Sequence, residues 1–169
     1  MDNDIYTLKS KDRLVRCQGV ILKNDSILIL EHFNSIRDEI FWLLPGGGME
    51  LGESEEECLH KELKEETNLD VEINQVLFDD VKYGFDYKRY VTFLCTPSAT
   101  SIEKIGKETN EYKEITKLSW FSINDEESWA IIQNKEQFYP SLKQIKDKIL
   151  KSNYYIKNYN SCGVSSGRF

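Results

Sequence analysis

Little in this sequence is basic, cysteine-paired or continuously apolar, and each shortage removes a class of protein. Lys and Arg number 22 against 29 Asp and Glu, which leaves a formal charge of -7. Proteins that grip nucleic-acid backbones usually present a basic surface, so no nucleic-acid partner is expected. A nucleotide ligand remains compatible, because a bound metal supplies positive charge locally. The four cysteines, Cys17, Cys58, Cys95 and Cys162, form no close pair, and His32 and His60 complete no zinc-type spacing. Cys17 and Cys95 sit in apolar, strand-like runs and read as small buried hydrophobes. No apolar run approaches membrane-spanning length, and the polar, acidic start from Met1 to Asp12 is unlike a secretory signal. The expectation is a reduced cytoplasmic setting with no membrane partner. There is no internal repeat.

With 169 residues, 40% hydrophobic and 30% charged, the chain has room for one domain with a proper core. Residues 1–157 are expected to form it, and the Ser/Gly-rich end, 158–169, a loose tail. Strands are expected over 13–22 and 26–32 around a "KND" turn, then over "IFWLL", with Pro45 and three glycines stopping that strand. Further strands are expected over 71–78, 87–95 and 117–123. Ser54 to Asn68 reads as the best helix, with Ser54 and Glu57 spaced as a capping box and Asn68 as a left-handed cap. A second helix is expected from Ser141 to about Ile156. Hairpins, helix, strands and a terminal helix in this order suggest an α+β or α/β sandwich.

Between Leu43 and Val71 the chain sets a glycine cluster directly before eight glutamates. At about 100° per residue, Glu62, Glu65 and Glu66 fall within an arc of about 100°, flanked by the core-type residues Leu59 and Leu63. Such carboxylates repel one another, more so when partly desolvated, and a hard divalent cation among them relieves the strain. Part of the acidity is ordinary helix dressing, since Glu57, Lys61 and Glu65 form an i, i+4 ladder. The glycines add close-approaching backbone where the helix N–H groups and dipole point.

Gly47, Glu53 and the run from Lys61 to Leu69 resemble the signature of the Nudix hydrolases. That signature is Gly, five residues, Glu, seven residues, then Arg-Glu-apolar-x-Glu-Glu-x-Gly-apolar. "WLLPGG" and "GES" are similar to the family as well. The resemblance implies an α/β/α sandwich with a mixed sheet. It also implies Mg2+- or Mn2+-dependent hydrolysis of a nucleoside diphosphate derivative, a small-molecule nucleotide substrate. It assigns metal binding to Glu62, Glu65 and Glu66, with the Gly46 carbonyl as a further ligand. Glu62 becomes the general base or water-orienting group, Glu65 part of the catalytic set, and Glu53 the residue that orients Lys61. A further acidic ligand is implied before the Trp-containing strand; Glu108, Glu111 and Glu114 are candidates, and Glu111 is preferred because Glu114 leads into the strand. Many family members pair as homodimers, an expectation that no stretch of this chain supports by itself.

Two positions depart from the pattern. Asn68 stands for Gly and tolerates the same left-handed backbone. Lys61 stands for Arg and keeps the charge but not the two-pronged grip. That change motivates an alternative, a nucleotide-binding or regulatory module with weak or no hydrolysis. Phe33, Tyr83, Phe85, Tyr87 and Phe138 are candidates for base stacking, and Arg37 and Arg89 for phosphate contact, but no further signature identifies the substrate.

Overall fold

The computed structural model describes residues 14–82, 86–107, 112–125, 127–132 and 139–159. Strands β1 (Val15–Lys23) and β2 (Ser26–Asn34) pair at Leu22–Ile27 and Lys23–Ser26, turned through Asn24 at φ 57°. They then diverge. From there β2 pairs with β3 (Glu39–Leu43) and with β7 (Lys113–Ser122). β1 instead pairs with β4 (Gly46–Gly48) and runs parallel to β6 (Arg89–Pro97), which carries β5 (Val71–Val81) on its other side. The β1–β6 pair is the parallel one and the other pairings are antiparallel, so the sheet is mixed.

Alternation along the strands sends side chains to two cores, because successive residues face opposite sides of a sheet. Cys17 and Ile21 of β1, Leu28 and Leu30 of β2, and Val91, Phe93 and Cys95 of β6 meet Leu59 and Leu63 of helix α1 (Glu55–Thr67). Val20, Leu22, Ile27, Ile29 and Leu94 meet the opposite layer. That layer holds a 3-10 turn (Ser128–Ile131), α2 (Leu142–Leu150) and α3 (Asn153–Tyr159). Helices therefore cover both faces of the sheet. Gly19 of β1 lies directly under Leu63, where a methyl group would meet its Cδ2 at 2.9 Å, so the helix seats close to the strand.

β3 ends at Leu43, before Pro45, as expected, but the glycines after it, Gly46–Gly48, form a short strand of their own on β1. One expectation is corrected. The terminal helix is two helices: the Ser152 hydroxyl donates to the Ile149 carbonyl at 2.7 Å and accepts from Tyr155 N–H at 3.2 Å, ending one helix and capping the next. α3 reaches Tyr159, and residues 160–169 of the expected tail lie outside the described residues.

Candidate active site

The site is built where α1 crosses the glycine strand. Gly46 has φ 150°, and a side chain there would run into the Cys17 carbonyl and the Gln18 backbone. At Gly47 the place of a side chain is taken by the Glu62 carboxylate, with a built Cβ lying 2.7 Å from its Oε1. Glu66, only 4% exposed, accepts the Gly46 N–H at 2.8 Å through Oε2. Two carboxylates one helical turn apart thus lie on the bare backbone of β4. Beneath them the Cys58 thiol donates to the Gly47 carbonyl at 3.7 Å. Its bond to the neighbouring Cys17 thiol, together with burial, pushes the Cys58 pKa far up, so Cys58 stays a neutral thiol.

Both ends of α1 are fixed. Ser54 closes the expected capping box with Glu57, and Asn68 takes the left-handed cap at φ 62°. The last carbonyls are satisfied by a neighbouring segment, with Lys107, Gly106 and Lys104 N–H donating to Glu65, Glu66 and Thr67 at 3.3, 2.9 and 2.9 Å. At the other end Arg89 grips Asp79 with two bonds, 2.7 and 2.8 Å, and reaches Glu55 of the first turn at 2.6 Å. Arg89 therefore ties α1 to the β5–β6 pair.

Lys61 gathers the acidic loop. Its ammonium bonds Glu53 and lies 3.7 Å from Glu50 and 3.8 Å from Glu62. Glu53 in turn accepts the Glu50 N–H at 2.9 Å. Burial works against the ammonium, yet the bond and charge of Glu53, with Glu50 and Glu62, outweigh it and raise the Lys61 pKa. One point charge thus links the loop carboxylate to the helix carboxylate, the link expected of the family's arginine.

The remaining expected residues scatter. Glu65 is exposed on α1. Glu114 is exposed within β7, opposite Phe33. Glu108 and Glu111 lie outside the described residues, as do Tyr83, Phe85 and Phe138. Arg37 is exposed beside Glu39 at 3.5 Å. Among the described residues no three His, Cys, Asp or Glu side chains form a group that could hold a metal ion as they stand. What converges on the glycine strand is a pair, Glu62 and Glu66, both hard oxygen donors of the kind that divalent magnesium and manganese take.

Sequence reasoning did not single out Arg16 or Gln18. Arg16 stands opposite Gly48 in the ladder and donates to the Leu44 carbonyl at 3.0 Å and to Gln18 Oε1 at 3.1 Å. Gln18, fully buried, donates to Thr92 Oγ1 at 2.9 Å and to the Tyr139 carbonyl. These two, with Leu43, Tyr87, Tyr90 and Lys113, line a cavity of about 150 Å³ beside the glycine strand. The Arg16 guanidinium lies 5.9 Å from the Tyr87 ring centroid. No local motif marks these residues, since their roles come from pairing across β1, β4 and β6.

The sequence pattern described as NUDIX domain matches residues 13–142. A NAD-capped RNA hydrolase, NudC, from Vibrio atlanticus (strain LGP32) is 25% identical over 111 residues, 66% of this chain. The match covers 38% of that relative, so the chain spans well under half of its length. Among solved structures, a NUDIX hydrolase from Nitrosomonas europaea superposes with a TM-score of 0.59 at 20% identity, covering 79% of this chain and 86% of the other. A MutT protein from Methanosarcina mazei Go1 gives 0.59 at 19%, covering 82% and 96%. An ADP-ribose pyrophosphatase from Streptococcus suis 89-1591 gives 0.51 at 25%, covering 66% and 75%.

Proposed function

From the premise that this chain belongs to the Nudix family, we propose that it is a divalent-metal-dependent hydrolase. Its reaction is water attack on the pyrophosphate linkage of a nucleoside diphosphate derivative. The observation that carries this reading is the pair of carboxylates on bare backbone, Glu62 against Gly47 and Glu66 on the Gly46 N–H. A helix that only packs has no reason to bury a glutamate there, because an ionised carboxylate is costly to desolvate.

Glu62, Glu65 and Glu66, with the Gly46 carbonyl, are the groups assigned to the cation, Mg2+ or Mn2+. Glu111 is the further ligand proposed. When bound, such an ion neutralises phosphate oxygens and lowers the pKa of a water. The chain's own residues then orient the reaction. Glu62 positions the attacking water and accepts its proton at the carboxylate. Glu53 holds the Lys61 ammonium, and Lys61 holds Glu62 in place through its charge. The cavity at Arg16, Tyr87 and Lys113 suits part of a nucleotide, offering the rings of Phe41, Tyr87 and Tyr90 for stacking and two cations beside the Asp86 carboxylate. Engagement of Lys61 with both Glu53 and Glu62 favours turnover over binding alone.

We place the reaction in a reduced cytoplasmic compartment, where the buried thiols Cys17, Cys58 and Cys95 would stay free. Nucleic acid is not proposed as a general partner at a charge of -7. The ADP-ribose pyrophosphatase and the NAD-capped RNA hydrolase suggest which compounds to test first. A panel of ADP-ribose, NAD, NAD-capped RNA, a UDP-sugar and nucleoside triphosphates, with magnesium and then chelator, tests the reading by product identification. Monophosphate or pyrophosphate release that chelator abolishes is expected. Tight nucleotide binding with no turnover of any compound would instead make the chain a binding module.

A further inference from the structure

A second cavity, about 310 Å³, opens at the other end of the central strands. β1 ends at Lys23 and β6 at Pro97, and the two run parallel, so the cavity lies at the carboxyl ends of the parallel pair. Leu22 is four residues beyond Gln18, the partner of Gly46, which puts the cavity about 13 Å along β1 from the glycine strand. It shares no lining residue with the candidate active site or with the cavity at Arg16.

The lining has a definite chemistry. Leu22 and Leu69 are buried beneath it, and Ser98 and Ser101 add hydroxyls. Trp120 presents an indole whose orientation is fixed, because Nε1–H donates to Glu103 Oε1 at 3.1 Å. The Lys23 ammonium stands 5.3 Å from the centroid of that indole, on its electron-rich face. Glu103 is half-buried. Its own backbone N–H and the indole, with help from Lys23, hold its carboxyl below the ordinary range against the opposing effect of burial.

A flat heteroaromatic ring stacks on an oriented indole, the contact by which single-stranded nucleic-acid binders hold successive bases. The edge of that ring must then satisfy a carboxylate, which only accepts hydrogen bonds and has about four lone-pair sites, two of them taken by Trp120 and by the Glu103 backbone N–H. Adenine and cytosine place an acceptor next to their amino donor and repel one carboxylate oxygen. Guanine places two donors, N1–H and N2–H, side by side. We infer that this cavity is a second nucleotide site selective for a guanine base, which displaces the Lys23 ammonium from the indole face, stacks on Trp120 and bonds through N1–H and N2–H to Glu103, with the displaced Lys23 meeting its phosphate.

Trp120 fluorescence reads the site directly. Titrations use guanosine, inosine and adenosine 5′-monophosphates with chelator present, and compare the unmodified protein with Glu103→Gln and Trp120→Phe. Monophosphates hold no pyrophosphate linkage and the chelator removes metal, so the outcome is independent of whether the chain is a hydrolase. The expected result is saturable quenching by guanosine monophosphate. Affinity should be at least tenfold weaker for inosine monophosphate, which lacks the 2-amino group, and weaker again for adenosine monophosphate. Glu103→Gln should erase the preference for guanine while the melting temperature and hydrolysis stay unchanged. Equal affinity for the three bases, an unaltered preference in Glu103→Gln, quenching that persists in Trp120→Phe, or no saturable quenching would each overturn the assignment.

Discussion

Helix α1 opens on Ser54 with Glu57 three positions on, and α2 opens on Ser141 with Gln144 at the same spacing; both capping boxes are closed by reciprocal hydrogen bonds. Past that first turn the helices part. α2 buries Leu142, Ile145 and Ile149, a plain apolar stripe. α1 buries Cys58, Leu59 and Leu63, and then Glu66. The carboxylate of Glu66 is held by a backbone N–H from a strand 20 residues earlier in the chain. α2 thus follows the rule for a helix that only covers a sheet. α1 departs from that rule where the strand beneath it has no side chains.

This difference predicts that the two helices fail in different ways. The largest effect is expected at the two carboxylates that lie on the glycine strand. Glu62→Gln and Glu66→Gln should each lower kcat by about 10³-fold, or about 4 kcal/mol of transition-state stabilisation. Urea midpoints should hardly move, since the amide oxygen introduced by Glu66→Gln still accepts the Gly46 N–H. Manganese should raise the melting temperature of the unmodified protein and leave that of either variant unchanged. In α2, Ile145→Ala should cost about 2–5 kcal/mol in urea unfolding, because a fully buried side chain leaves a cavity. Activity per folded molecule should be unaltered. A loss of kcat matching that of Glu66→Gln would break the contrast.

Smaller changes sharpen it. Lys61→Ala removes the charge shared by Glu50, Glu53 and Glu62 and should cost about tenfold in kcat. Lys61→Arg should restore the link or improve on it, since a guanidinium offers a fork where an ammonium offers a point charge. Unaltered kinetics in Lys61→Ala would remove Lys61 from the site. The caps should be indistinguishable: Ser54→Ala and Ser141→Ala are each expected to cost about 1 kcal/mol in thermal unfolding.

What could be read from the chain follows the same division. The boundaries of α1 were legible because its signals are local: Ser54 and Glu57 at one end and Asn68 at the other. The glycine strand was not. Glycines mark a break by propensity, and only the ladder to Arg16, Cys17 and Gln18 makes Gly46–Gly48 a strand. The acidic positions were legible as a motif, but nothing local says that Glu66 is buried on Gly46 while Glu65 faces solvent. Arg16 and Gln18 were invisible for a related reason, their partners Leu44, Thr92 and Tyr139 being distant in sequence. The split between α2 and α3 rests on the Ser152 hydroxyl, which helical spacing alone does not reveal.

The most direct measurement is an anomalous difference map from crystals grown with manganese and ADP-ribose. An ion bonded to Glu62 and Glu66 beside the Gly46 carbonyl is the predicted result. Nucleotide density with no manganese at the glycine strand would contradict the account.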